Sequence, residues 1–93
     1  MAMKYSKTFD IAQGILEDRE ATYGSALPLH TNIATRWSLV LGKQVTPVQV
    51  ARCLAEIKAA RVDLGDSLGR DSAVDQINYL AIAVALEADD WPD

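Results

Sequence analysis

Two sets of side chains in this chain are of kinds that do chemistry. The first is basic and aromatic: Arg19 and Tyr23 four residues apart, Lys58 and Arg61 three apart, and Tyr79. The planar fork of arginine and the ammonium of lysine suit phosphate or carboxylate, and a tyrosine ring can stack on a base. Gathered in one place, these five residues would bind a small anionic ligand such as a nucleotide. Their other use is to pair with Glu20, Glu56, Asp71 or Asp75 and orient the helices, since an interior charge must be neutralised by a partner. The second set is acidic: Glu17 and Glu20 form an E-x-x-E pair, and Asp71 and Asp75 a D-x-x-x-D pair. On facing helices these carboxylates would supply the oxygen ligands of a Mg2+ ion that also holds the phosphates of a substrate. Read otherwise, Asp71 with Ser72 is an ordinary helix N-cap, and Glu17 and Glu20 are solvated surface.

What is missing narrows the chemistry further. The single histidine, His30, follows Pro28 closely and has no neighbouring Cys or second His, so it reads as a capping or surface residue rather than a ligand. No Ser-His-Asp or Cys-His set, P-loop, GxGxxG or zinc spacing is present, so no catalytic residue is assigned. One cysteine cannot form an internal disulfide, and Cys53 among Val50, Leu54 and Ile57 reads as a small core hydrophobe. The formal net charge of -4 disfavours nucleic acid and anionic membranes as partners, because counterion release needs a basic surface. No apolar run nears a membrane-spanning length and the N-terminus lacks a signal-peptide core, so a cytoplasmic protein is expected.

The elements that must position these residues are helices. Thr46 is an N-cap, Pro47 the first helical residue and Gln49 the capping-box partner of a helix with Val50, Ala51, Leu54, Ile57, Arg61 and Leu64 on one face. After Gly65 and Gly69, Asp71 or Ser72 can cap another helix, from about Ser72, with Val74, Ile77, Ala81, Val84 and Ala85 on one side. A short Gly-containing loop makes these two helices antiparallel and brings Glu56, Lys58 and Arg61 toward Asp71, Asp75 and Tyr79. Earlier in the chain, Ser6 or Thr8 can cap a helix with Phe9, Ala12, Leu16, Arg19 and Tyr23 in a stripe, closed by Gly24 in a left-handed C-cap. A second helix starts near Pro28, buries Leu29, Ile33, Trp37, Val40 and Leu41, and ends at Gly42, with Trp37 as the largest core contributor. Residues 1–6 read as loose, and the acidic tail of Glu87, Asp89, Asp90, Trp91, Pro92 and Asp93 opposes the helix dipole and should fray. The 93 residues therefore form one domain, ordered over about 7–88, with an all-α fold: a compact antiparallel bundle of four helices. The stretch YLAIAVALEA is more widely apolar than one buried face requires, which predicts self-association into a homo-oligomer.

Several motifs resemble a small all-helical domain family of bacteriophages and prophages. They are R-x-x-x-Y-G from Arg19 to Gly24, I-A-x-x-W-S from Ile33 to Ser38, and L-G-x-x-V-T-P-x-x-V-A from Leu41 to Ala51. E-I-K-A-A-R from Glu56 to Arg61 and R-D-S-x-V-D-x-x-x-Y from Arg70 to Tyr79 complete the set. The resemblance spans roughly residues 10–86 and implies a phage origin and a helical fold without an established activity; its characteristic positions are Arg19, Tyr23, Gly24, Trp37, Lys58, Arg61, Asp71, Asp75 and Tyr79. A weaker similarity is to the MazG-type all-α nucleotide pyrophosphohydrolases, which bind Mg2+ through E-x-x-E on one helix and E-x-x-D on another. That similarity implies Mg2+ at Glu17, Glu20, Asp71 and Asp75, although here the pairs lie on the first and last helices and the second has a different spacing. The leading expectation is a non-enzymatic, self-associating protein of the bacterial host's cytoplasm that binds a nucleotide-like ligand and requires no cofactor. The alternatives are a Mg2+-dependent pyrophosphohydrolase and a structural module that binds a host protein.

Overall fold

Thr46 begins its helix as the spacing predicts: its Oγ1 accepts the Gln49 N–H at 3.2 Å while Gln49 Oε1 accepts the Thr46 N–H at 2.9 Å. The computed structural model describes residues 5–65 and 69–88, and the expectations for the first four residues and for the tail from Asp89 onward lie outside the described residues. Four helices follow one another: α1 (Tyr5–Tyr23), α2 (Ala26–Leu41), α3 (Pro47–Asp63) and α4 (Gly69–Glu87). The fold is thus the all-α four-helix bundle that the periodicity predicts, with no strand among the described residues.

The stops of α1 and α2 are glycines. Gly24 (φ 82°) donates its N–H to Glu20 O at 2.8 Å, and Gly42 (φ 69°) donates to Ser38 O at 3.0 Å, each in the left-handed conformation that L side chains resist. Three starts differ from expectation. Ser6 and Thr8 lie inside α1 rather than capping it. Ser25 caps α2 by accepting the Leu27 N–H at 3.3 Å, which places Pro28 in the first turn, where its missing N–H costs nothing. Helix α4 begins at Gly69, so Asp71 sits in the first turn and Ser72 is buried within the helix. An acid favours the positive helix end from the cap or from the first turn alike, so composition does not separate these positions.

Helices α3 and α4 form the tightest pair and run antiparallel, α2 runs antiparallel along α3, and α1 lies on α4. Ser38 fastens the turn between α2 and α3: its Oγ donates to Ala34 O at 2.7 Å and accepts the Val45 N–H at 2.8 Å. The sense of α1 is less obvious. Asn78 Nδ2 donates to Ala12 O at 2.9 Å; Thr8, Ile11 and Ile15 share a cleft with residues 70–77, and Leu16 and Glu20 share one with residues 81–86. Helices α1 and α4 therefore point the same way. Only Gly24 and Ser25 separate α1 from α2, so α2 turns away from the end of α1 instead of packing back along it.

Small residues make the core. Ala12, Ala34, Val50, Ala51, Ala55, Val74 and Ala83 are buried, with Val50 fully enclosed, and Ser72, Asn78 and His30 are the buried polar side chains. Alanine at the contacts lets helix backbones approach closely. Trp37 is only half-buried and so is not the centre of the core, while Phe9, Tyr23, Leu29, Val40, Leu41, Ile57 and Val84 are exposed where the stripes predicted burial. Cys53 is exposed too, so it is not a core hydrophobe. On α1 and α2 the reason is that the apolar arc is wider than the one helix each chiefly packs against.

Candidate functional site

The corner where α1 turns into α2 holds a cleft. Its volume is about 510 Å3, and it opens between Arg19, Glu20 and Tyr23 of α1 and Leu29, His30 and Ile33 of α2, with Leu54 of α3 and Tyr79 and Ile82 of α4 closing the far side. A smaller cleft of about 210 Å3 continues from it past Leu16 and Ile82 toward Ala81 and Ala85.

Of the five residues that suggest anion binding, three meet here. Arg19 and Tyr23 stand at the mouth, one turn apart on α1, with the guanidinium carbon 5.5 Å from the ring centroid, a cation–π distance. Tyr79 reaches the same space from α4 and is half-buried. Glu20 also lines the cleft, so one cation and one carboxylate share its rim. The other two candidates lie elsewhere. Lys58 Nζ is 3.0 Å from Asp75 Oδ2, which uses it as a cross-link between α3 and α4. Arg61 is exposed in the last turn of α3, where a cation favours the helix dipole, and is not among the residues lining the cleft.

The acids do not converge. Glu17 accepts from Gln13 Nε2 at 3.0 Å on the outside of α1, Glu20 faces the corner cleft, and Asp75 holds Lys58. Asp71 lines a separate cleft of about 290 Å3 with Thr8, Ile11 and Ile15. Among the described residues no group of three or more His, Cys, Asp or Glu side chains is placed to hold a metal ion. The parallel run of α1 and α4 explains the separation, because it sets Asp71 beside the beginning of α1 and Glu20 beside the end of α4.

His30 is the residue that spacing missed. It is 2 % exposed, neither a cap nor a surface residue. Nδ1 lies 2.8 Å from Ala26 O. A carbonyl can only accept, so Nδ1 carries a proton, and in the neutral ring Nε2 is then the acceptor. That Nε2 is buried without a hydrogen-bond partner among the described residues. One sequence signal did point inward: His30 stands four residues before Ala34 and seven before Trp37, on the inner face of α2.

No described helix is long and apolar enough to cross a membrane. No curated protein and no solved structure matches the chain. Residues 9–87, which contain the motifs from Arg19 to Tyr79 and every residue that lines the corner cleft, match one family, and the chain belongs to it: DUF6378, a domain of unknown function.

Proposed function

We propose that this domain is a non-catalytic, self-associating helical module that holds a small anionic organic molecule of nucleotide size in the cleft at the α1–α2 corner. One observation carries the binding half: Arg19, Tyr23 and Tyr79, selected for their chemistry, line a single space of about 510 Å3, within the usual range of small-molecule sites. Apolar walls from Leu54 and Ile82 would cover the body of such a ligand, and Arg19 would meet its charge. The hydrolase alternative needs Glu17, Glu20, Asp71 and Asp75 around one Mg2+ ion, an arrangement the geometry does not favour. The test is a thermal-unfolding screen of nucleotides with the wild type, Arg19→Ala and Tyr79→Ala. A bound ligand at a hundredfold excess over its Kd should stabilise the wild type by about 2.7 kcal/mol and the variants less. Absence of any stabilisation removes the binding half.

Self-association rests on a different observation. Leu39, Val40 and Leu64 are 80 %, 82 % and 88 % exposed, and Leu80 and Val84 leave an apolar strip along the outside of α4. Sedimentation at tens of micromolar should show a dimer or larger species that Val84→Glu weakens; a monomer in the wild type ends this half.

A further inference from the structure

We infer that the corner cleft selects a planar heterocycle whose edge donates an N–H to Nε2 of His30, with an anionic substituent directed outward to Arg19. The inference rests on the cleft being a ligand site and adds which chemistry that site reads. His30 is almost fully enclosed, its Nδ1 proton is committed to Ala26 O at 2.8 Å, and its Nε2 has no partner among the described residues. A buried acceptor without a donor is a standing cost to a fold, and nearly all such groups in proteins are satisfied. Here the unsatisfied atom belongs to a residue that lines the cleft.

The tautomer decides the sign of recognition. In the neutral ring with Nδ1 protonated, Nε2 can only accept, so the complementary ligand atom is an N–H or O–H and not a carbonyl. The surroundings decide the shape. Leu54, Tyr79 and Ile82 are half-buried, chiefly apolar walls, whereas Arg19 and Tyr23 are exposed at the mouth. Nε2 is closed to solvent, so a flat ring must part the side chains that enclose it, and its edge then meets the imidazole while its tail lies at the guanidinium. A nucleobase carrying a phosphate has this layout: a π-face, an edge donor and a charged end.

His30 is the only histidine in the chain, so its imidazole nitrogens give unambiguous signals in 15N NMR of the whole protein. The probes are the ribonucleoside 5′-monophosphates, the tightest of them with its edge N–H replaced by N–CH3, and phenyl phosphate, which has the ring and the charge without the donor. The expected result is a shift of the His30 Nε2 signal on adding a nucleotide, with Nδ1 still protonated. Affinity should fall about tenfold or more on methylating the base and by a similar factor in His30→Phe, with no further loss when both changes are combined. His30→Gln, which keeps an acceptor, should retain part of the affinity; should His30→Phe not fold, the methylated probe on wild type makes the same comparison.

If nucleotide and phenyl phosphate bind equally, Tyr79→Ala weakens both and the His30 signals stay still, the cleft is a ligand site and the donor assignment is overturned. If no probe, phenyl phosphate included, shifts the His30 signals or the melting temperature, the cleft reading falls together with the assignment.

Discussion

Removing the charge of Lys58 separates two roles that its chemistry allows. The Nζ to Oδ2 distance to Asp75 is 3.0 Å, and the two side chains are 20 % and 35 % exposed. At an effective dielectric near 20, charges at that distance attract by roughly 5 kcal/mol. Most of this is returned as dehydration of the two ions and the fixing of a long side chain, which leaves a net coupling of about 1 to 2 kcal/mol. Lys58→Met keeps the packing of the stem and deletes the charge. Asp75 is exposed enough to recover water, so the loss stays below the roughly 3 to 5 kcal/mol of a fully buried orphan. Urea unfolding at fixed protein concentration should show Lys58→Met and Asp75→Asn each less stable by about 1 to 2 kcal/mol, and the double variant little worse than either. The melting temperature should drop by roughly 5 to 10 °C. If the single losses simply add, the two groups do not interact in solution and the cross-link between α3 and α4 is refuted. If Lys58→Met instead leaves stability intact and abolishes nucleotide binding, Lys58 faces the ligand and the corner cleft is wrongly drawn.

Two further perturbations probe how the helices are held. Thr46→Ala removes the capping-box oxygen seen at 3.2 Å from the Gln49 N–H and should cost about 1 kcal/mol in chemical denaturation, with no effect on ligand affinity, since the cap is remote from the cleft. Asn78→Leu deletes the buried 2.9 Å bond to Ala12 O. It should destabilise by about 1 to 3 kcal/mol and, in hydrogen exchange, raise the rates of α1 amides far more than those of α3; uniform acceleration would show that α1 is not separately anchored.

Much of this was legible in the chain because some signals are local. The Thr46, Pro47, Gln49 set fixes a helix start through bonds spanning three residues, and Gly24 and Gly42 fix stops through a backbone conformation that other residues resist. The pairing of Lys58 with Asp75 also follows from a short loop and complementary charge. What periodicity cannot supply is the direction and coverage of a partner. The stripe through Ala12 and Leu16 says which side of α1 is buried and is silent on whether α4 runs with it or against it. That direction alone separates Asp71 from Glu20. Likewise Phe9 and Val40 share stripes with buried residues but extend past the helix that covers them. His30 was misread for the opposite reason: its polarity suggested surface, whereas its register with Ala34 and Trp37 placed it inside, where its own helix supplies one hydrogen bond.

Helix α1 joins the rest of the domain through a two-residue corner, its packing on α4 and the buried bond from Asn78 to Ala12 O, and it contributes Arg19, Glu20 and Tyr23 to the cleft. The lining of the proposed cleft is therefore divided between a three-helix unit and a one-helix arm. Any measured association constant will contain the arm's docking equilibrium as a factor, so a substitution far from the ligand, at Asn78 or along the shared α1–α4 seam, can change apparent affinity by changing how often the arm is seated.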